Sequence, residues 1–166
     1  RLSLVGSEMC IRDRGTPVAE WKEQVQIPAG NTVSCSMHGT IRDPKCWSPE
    51  HPDLYGMETW YETTDENGKK ISYLADTQKV GIRVAEFDAD RGFFLNGVPM
   101  KIKGVCVHHD AGCLGAAVTK EVWHRRFAKL KECGCNAIRC SHNPHMPELY
   151  ELCDTCLLYT SDAADE

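Results

Sequence analysis

Two short apolar segments of this sequence each run into a histidine, and they are its most informative chemical feature. Residues 104–107 lead into His108, and residues 136–140 are followed closely by His142. A helix-length segment separates the two. If both segments are neighbouring strands of a parallel barrel, their C-terminal ends lie on the face where such barrels carry their binding groups. The spacing therefore predicts that His108 and His142 share one pocket.

The surrounding residues predict the helices that a parallel barrel needs. Apolar side chains recur at helical spacing between positions 120 and 133. Thr119 is placed to cap the start of this helix, and Gly134 is placed to end it. Pro147 opens a second helix over residues 148–153. The predicted order of strand, helix, strand and helix is typical of the opening of a (β/α)8 barrel.

The first half of the chain predicts short strands joined by turns. Residues 25–30 and 32–37 flank a Pro/Gly turn, residues 54–61 alternate, residues 65–68 carry a hairpin signal, and residues 78–87 form the last strand. Asn-Gly within such a signal is a common hairpin turn. Several short strands at this spacing indicate a β-sandwich of immunoglobulin type.

Composition and charge narrow the class of protein. The chain has 166 residues, of which 42% are hydrophobic and 26% charged, as in ordinary globular proteins. A formal net charge of -5 argues against a nucleic-acid partner, which would select a basic surface. No apolar run is long enough to cross a bilayer, and no signal peptide opens the sequence, so no membrane partner is expected.

The two ends of the chain look foreign to the rest. Codons for residues 8–14 can be chosen so that most of their reverse complement encodes Cys-Leu-Leu-Tyr-Thr-Ser, which is the sequence of residues 156–161. One DNA element translated in opposite directions resembles an adapter from sequencing-library preparation. We therefore expect residues 1–14 and 155–166 to be non-native, and we exclude them from the prediction of the fold.

Between these ends, four stretches resemble glycoside hydrolase family 2, which contains β-galactosidases, β-glucuronidases and β-mannosidases. Residues 44–55 (PKCWSPEHPDLY) resemble the family's "lWsPenPyLY" stretch, and residues 81–99 contain its "GfR" and "f.LNGkp" motifs. Residues 103–110 (KGVCVHHD) are similar to its first barrel strand. Residues 136–154 are similar to "NaiRcSHyP" and "lYelCDe", with Asn143 where an aromatic residue is commoner.

The resemblance implies an all-β immunoglobulin-like sandwich followed by the start of a truncated (β/α)8 TIM barrel. Residues 15–88 would form the partial sandwich domain, and residues 89–154 the N-terminal part of the catalytic barrel. It also implies a retaining exo-glycosidase, whose acid/base and nucleophile carboxyl groups lie roughly 5–5.5 Å apart. In the family both are glutamates on later strands, so we expect no catalytic residue and no turnover in this chain. β-Galactosidase is the first expectation for the longer protein, with β-glucuronidase or β-mannosidase as alternatives.

The same resemblance implies roles for residues at the two strand ends. His108 and His142 match family histidines that hydrogen-bond the sugar hydroxyls. Arg139 matches the arginine that orients the nucleophile carboxylate and lowers its pKa. The further substrate-binding candidates beside them are His109, Asp110 and Asn143.

Two functions outside this class remain as alternatives. A non-catalytic carbohydrate-binding module would use the sandwich, although residues 15–88 suggest no exposed aromatic platform. A metal-binding module would use the cysteines near the histidines, which are Cys106, Cys113, Cys133, Cys135 and Cys140. Zinc sites usually draw on closely spaced pairs in turns, whereas these cysteines fall on strands and helix ends. Buried cysteine otherwise behaves as a small hydrophobic residue.

Expectations for cofactors, partners and location follow. No cofactor or metal is indicated in this segment, while a divalent cation in the longer protein is compatible with the resemblance. The expected partner is a β-linked carbohydrate substrate, and homo-oligomerisation of the longer protein stays open. Many cysteines without a disulfide framework favour a reducing, cytoplasmic location.

Other histidines and tryptophans receive structural roles. We expect His38, His51 and His145 to lie at the surface. We expect Trp47 to lie in the sandwich core.

Overall fold

The computed structural model describes residues 3–65, 67–156 and 159–161. These residues form two compact units. The first comprises the described residues of Arg1–Pro44 and Leu54–Val80, and the second comprises those of Lys45–Asp53 and Gly81–Glu166.

The first unit is a four-stranded antiparallel sheet with the strand order β2-β1-β3-β4. Its strands are β1 (Ser3–Asp13), β2 (Thr16–Ile27), β3 (Tyr55–Thr64) and β4 (Lys70–Val80). This is the type of layer that a sandwich contains.

Local turn chemistry connects these strands. Arg14 and Gly15 have φ values of 49° and 88°, as required of both central residues in a tight type I′ turn between β1 and β2. The predicted hairpin between β3 and β4 is confirmed. There, the Asp65 carboxylate accepts hydrogen bonds from the backbone N–H groups of Asn67 and Lys69 at 2.9 and 2.8 Å.

Two strand predictions in the first half were wrong. Residues 32–37 form no strand, because β2 is longer than predicted and pairs along its length with β1 instead. Residues 78–87 divide between two sheets. Gly81 passes so close to Trp47 that a Cβ atom would lie 3.1 Å from the tryptophan Cβ. Ile82 forms a bridge with Cys46 at the same place, so β4 ends at Val80 and does not continue to residue 87.

Both segments predicted to be adapter-derived contain strands. β1 occupies an interior position in its sheet, and Cys10 and Ile11 are buried there. Tyr159–Ser161 pairs in parallel with a strand of the second unit. Strand pairing uses backbone groups that every sequence carries, so a non-native segment can form a strand as well as a native one. The adapter origin of these segments therefore stays a prediction.

The second unit contains a small antiparallel sheet formed by β5 (Ala85–Asp88), β6 (Gly92–Leu95) and β7 (Val98–Pro99). The predicted turn at Asn96 and Gly97 joins β6 to β7, and both residues have positive φ values of 52° and 76°.

The rest of this unit follows the predicted strand-helix order. β8 (Gly104–Val107) is followed by α1 (Lys120–Glu132), β9 (Ala137–Cys140), α2 (Pro147–Cys156) and β10 (Tyr159–Ser161). The three strands are parallel, in the order β10-β9-β8. A short 3-10 turn at Gly112–Leu114 lies between β8 and α1.

Sequence signals at both ends of α1 have structural counterparts. Thr119 occupies the N-cap position, and its carbonyl oxygen accepts from the N–H of Trp123 at 3.2 Å. At the other end Gly134 has a φ of 82°. Its N–H donates to Lys131, and that of Cys135 donates to Leu130, at 2.8 and 3.0 Å. These paired bonds are a Schellman motif, which ends the helix and turns the chain into β9.

The helices cover one face of the parallel sheet. Ile138 and Cys140 of β9 pack into a core with side chains of both helices. The fully buried members of the core are Trp123, Phe127, Ile138, Cys140, Leu149 and Cys153. Because strand side chains alternate between faces, Arg139 lies on the face turned away from the helices. Each large apolar side chain buried here contributes about 1.5–3 kcal/mol.

Trp47 was predicted in the sandwich core but lies in the second unit. It is 1% exposed, and its indole Nε1 donates to the Asp154 carbonyl oxygen at 2.9 Å. Its backbone N–H donates to Ile82, and its carbonyl accepts from the Asn96 side chain, at 2.8 and 3.0 Å. These bonds draw residues 45–53 into the second unit. The compact units thus divide the chain differently from the predicted domain boundary after residue 88.

Candidate functional site

The ends of β8 and β9 lie side by side and bring His108 and His142 together. The strands pair in register, with Val107 opposite Cys140, and the N–H of Ser141 donates to the Val107 carbonyl oxygen at 2.9 Å. The two imidazole ring centroids are 5.7 Å apart with an interplanar angle of 70°. Both side chains are exposed, so both can reach a ligand at the C-terminal edge of the sheet.

Arg139 lies within β9, three residues before His142. It is half-buried and stands opposite Cys106 in the parallel register. Because its face is turned away from the helices, it lies on what would be the interior of a closed barrel. A guanidinium at this place can form a charge-assisted, two-point hydrogen bond with a carboxylate from another strand.

The remaining predicted substrate-binding residues occupy the two loops that follow these strands. Asp110 and Asn143 are both exposed. The N–H of Asp110 donates to the His108 carbonyl oxygen at 2.8 Å, which turns the chain sharply after β8. His109 differs from the rest of the predicted set, because its ring stacks on His145 with centroids 3.8 Å apart.

His145 was predicted to be a surface residue, and the structure corrects this. It is 6% exposed, and its Nδ1 lies 3.0 Å from the Asn143 carbonyl oxygen. Burial lowers the pKa of His145, although the hydrogen bond to Asn143 partly opposes this effect. The sequence held two signals for this burial that the prediction did not use. His145 lies directly before α2, and Tyr150 follows about one helical turn later. The Tyr150 hydroxyl accepts a hydrogen bond from the His145 backbone N–H at 3.0 Å. His38 and His51 are exposed, as predicted.

The glutamates of the helices take part in local interactions. Glu151 pairs with Lys120 at 3.2 Å, and Glu132 pairs with Lys129 at 2.7 Å. A hydrogen bond from Thr119 lowers the pKa of Glu121 at the start of α1. In the sequence of the loops that follow β8 and β9, Asp110 is the single carboxylate. A retaining glycosidase needs two carboxyl groups facing one sugar, and these loops do not supply that pair.

Metal and pocket features are limited in the described part of the chain. Within residues 3–65, 67–156 and 159–161, no group of three or more His, Cys, Asp or Glu side chains is placed to hold a metal ion. A cleft of about 720 Å³ follows the outer edge of β8 and includes His108 and Asp110 in its lining. Its other wall is α1, including Arg125 and Leu130.

The sheet of the first unit carries an aromatic pair that the sequence did not suggest. Tyr61 and Tyr73 are partners across β3 and β4, and their rings stack with centroids 5.0 Å apart. They are 41% and 43% exposed. The expectation that this half lacks an exposed aromatic surface was therefore wrong.

Family models match both halves of the chain. Residues 9–83 match a model described as glycosyl hydrolases family 2, and residues 88–166 match one described as glycosyl hydrolases family 2, TIM barrel domain. A β-galactosidase of Bacteroides ovatus is 43% identical over 150 residues, which are 90% of this chain and 17% of that protein.

Solved structures show the same relationship. A family 2 glycosyl hydrolase from Bacteroides cellulosilyticus superposes with a TM-score of 0.85 at 32% identity, covering 99% of this chain and 22% of that one. A Bacteroides uniformis β-glucuronidase gives 0.83 at 33% identity, covering 98% and 19%. The predicted fold class, a sandwich domain followed by the start of a TIM barrel, is confirmed. The chain spans about a fifth of the length of these relatives.

Neither α1 nor α2 has the length and apolar character to cross a membrane.

Proposed function

The chain belongs to glycoside hydrolase family 2, and we propose that it is part of a retaining exo-glycosidase that removes terminal β-linked sugars. The observation that carries the proposal is the approach of His108 and His142 at the C-terminal edge of the parallel sheet, with Arg139 beneath them. In a parallel barrel this edge is where substrates bind.

Each residue has a role in this proposal. His108 and His142 hydrogen-bond hydroxyl groups of the sugar, and Asp110 and Asn143 line the same opening. Arg139 pairs with the carboxylate of the nucleophile, which keeps that group ionised and fixes its orientation. The positive guanidinium lowers the pKa of the nucleophile because it favours the charged form.

The two catalytic glutamates belong, in this proposal, to barrel strands beyond this chain. The unpaired outer edge of β8 supports the idea, since no strand among the described residues pairs with it and barrel closure requires one there. The chain by itself would hold a sugar weakly and hydrolyse nothing.

β-Galactosidase is the preferred activity of the longer protein, supported by the relative from Bacteroides ovatus. The likeness to a Bacteroides uniformis β-glucuronidase supports β-glucuronidase as the alternative, and β-mannosidase follows. We further propose that the protein works in a reducing, cytoplasmic environment, because the thiols of Cys106, Cys113 and Cys133 are free and exposed.

A panel of chromogenic substrates tests the activity. The chain and the longer protein are each incubated with β-galactoside, β-glucuronide and β-mannoside. We expect hydrolysis by the longer protein, fastest with the β-galactoside, and none by the chain. If the longer protein acts on none of the three substrates, the proposal fails. A faster β-glucuronide reaction would change the sugar but keep the reaction class.

The exposed pair of Tyr61 and Tyr73 favours one second candidate, a sugar-binding surface on the sheet of the first unit, because aromatic faces are apolar surfaces on which a sugar ring can pack. Titration of the whole chain with oligosaccharides distinguishes the two. Binding that is lost in Tyr61→Ala and retained in His142→Ala would support this candidate instead.

A further inference from the structure

The contact between His109 and His145 has no role in the proposed sugar site. Their rings stack with centroids 3.8 Å apart and an interplanar angle of 29°. His109 follows β8, whereas His145 belongs to the β9–α2 loop, residues 141–146. The stack therefore joins the two loops that carry His108 and His142.

Hydrogen bonds hold the same two loops. The His109 Nε2 lies 3.1 Å from the Pro144 carbonyl oxygen, so a protonated Nε2 donates across to the β9–α2 loop. The His145 Nδ1 is 3.0 Å from the Asn143 carbonyl oxygen, which fixes the ring within its own loop. The backbone N–H of His145 also donates to the Tyr150 hydroxyl, which ties this loop to α2.

The environment of His145 favours the neutral form of its own ring, because burial lowers its pKa. His145 is buried, and its Nε2 has no hydrogen-bond partner. The titratable groups facing it are His109 and His108 from the end of β8 and the Tyr150 hydroxyl from α2. From α1 it meets the apolar ring of Trp123, with centroids 5.8 Å apart, and Arg126 lies over the same indole. A cation on either histidine would repel one on the other at this distance.

We propose that His109 and His145 are positioning residues, whose stack holds the β9–α2 loop against the end of β8 and so fixes the separation of His108 and His142. His109 then acts through its neighbour and does not contact the sugar, in contrast to the role its motif implies. The effect on sugar binding rests on the proposed function, whereas the effect on the geometry does not.

Two substitutions at His109 separate stacking from hydrogen bonding. His109 is exposed, so its replacement leaves the buried core intact. His109→Ala removes the stack and the bond to Pro144 together. His109→Phe keeps a flat ring over His145 but has no N–H group to offer either Pro144 or a sugar hydroxyl. His124→Ala, at an exposed position of α1, is the matched control.

Nuclear Overhauser effects in the full chain measure the geometry directly. Above the ordinary histidine pKa of about 6.5, we expect a cross-peak between the rings of His108 and His142. It should fall several-fold in His109→Ala and persist in His109→Phe and in the control. A cross-peak of unchanged intensity in His109→Ala would overturn the proposal.

Kinetics of the longer protein give the second test. A misplaced histidine of the binding site costs up to about 10²-fold in rate, so His109→Ala should lower kcat/KM by between about tenfold and 10²-fold. His109→Phe should recover most of this loss. Equal impairment in both variants would show that the stacked ring does not set the rate and would refute the positioning role of the stack. If the longer protein hydrolyses no glycoside, the proposed function fails, while the cross-peak still decides the role of the stack.

Discussion

The two compact units of this chain are stabilised in different ways. In the four-stranded sheet, long backbone ladders join the strands, and the buried side chains are few, notably Cys10, Ile11 and Tyr55. In the segment from β8 to α2 each strand has only four residues, but two helices cover one face with a core that includes Phe127 and Leu149, both 0% exposed.

This difference suits the second unit to carry the proposed sugar-binding site. A half-exposed sheet tolerates change at most positions, because a lost side chain leaves its ladder intact. The helix-covered segment fixes the ends of β8 and β9 through close packing, so that the rings of His108 and His142 meet at a defined separation. Precise placement of polar groups requires this kind of support from the residues behind them.

Removal of an aromatic ring should have the largest effect on stability and should differ most between the units. Phe127→Ala leaves a cavity in the core of the second unit, so we expect a loss of about 3–5 kcal/mol. Tyr61→Ala breaks one exposed cross-strand pair and should cost at most about 1 kcal/mol. Amide hydrogen exchange, followed in β9 and in β3 respectively, measures each effect locally. Similar losses in both would show that the units do not differ as described.

An added methyl group tests the packing of the strands themselves. A Cβ atom at Gly104 would lie 2.9 Å from the Ala137 carbonyl oxygen, so Gly104→Ala forces β8 and β9 apart. We expect a loss of about 1–3 kcal/mol by urea denaturation. Gly56→Ala in β3 is the matched change, since the nearest atom there is 4.0 Å away, and should be nearly neutral. A smaller effect at Gly104 than at Gly56 would contradict the geometry.

Acid should weaken the second unit through His145. The pKa of His145 is lowered in the folded state by burial, so the unfolded chain binds a proton first as the pH falls. The stabilising contribution is complete above the ordinary histidine pKa of about 6.5 and declines below it. Unfolding midpoints across this range should fall more steeply in the wild type than in His145→Phe, with His124→Ala behaving as wild type. Parallel curves for wild type and His145→Phe would exclude this effect.

The smallest effect is expected from a half-buried ion pair in the first unit. Glu58 accepts from the Trp60 indole and pairs with Arg12 at 3.2 and 3.0 Å, and these bonds lower its pKa. The stabilisation is present above the ordinary glutamate pKa and is lost as the pH falls through the lowered value. Glu58→Gln should change the unfolding midpoint little at neutral pH, less than Gly104→Ala does, and should reduce its acid dependence. A change at neutral pH as large as that of Gly104→Ala would contradict the expectation.

Elements with strong local signals could be predicted from sequence. The helical spacing, Thr119 and Gly134 placed α1 almost at its observed bounds, and Asp65 to Gly68 placed the hairpin between β3 and β4. The proximity of His108 and His142 followed from the rule that parallel strands end on one face.

Long-range contacts set the features that sequence reasoning missed. Trp47 left the sandwich for the second unit because its partners, Ile82, Asn96 and Asp154, are up to 107 residues away. His145 packs against His109, which follows β8 and lies 36 residues earlier in the chain, so the local signals around His145 do not reveal this contact. Residues 32–37 had strand composition, but no strand among the described residues pairs with them.

The most direct test of the proposed site at the ends of β8 and β9 is the kinetics of Arg139 variants in the longer protein. Arg139→Ala removes the proposed partner of the nucleophile, and His124→Ala, at an exposed position of α1 outside the cleft, is the control. We expect kcat of Arg139→Ala to fall on the order of 10²–10³-fold, as for other charge-stabilising contacts in active sites, with the control unchanged. If Arg139→Ala retains the activity of the control, the ends of β8 and β9 do not form part of a glycosidase active site.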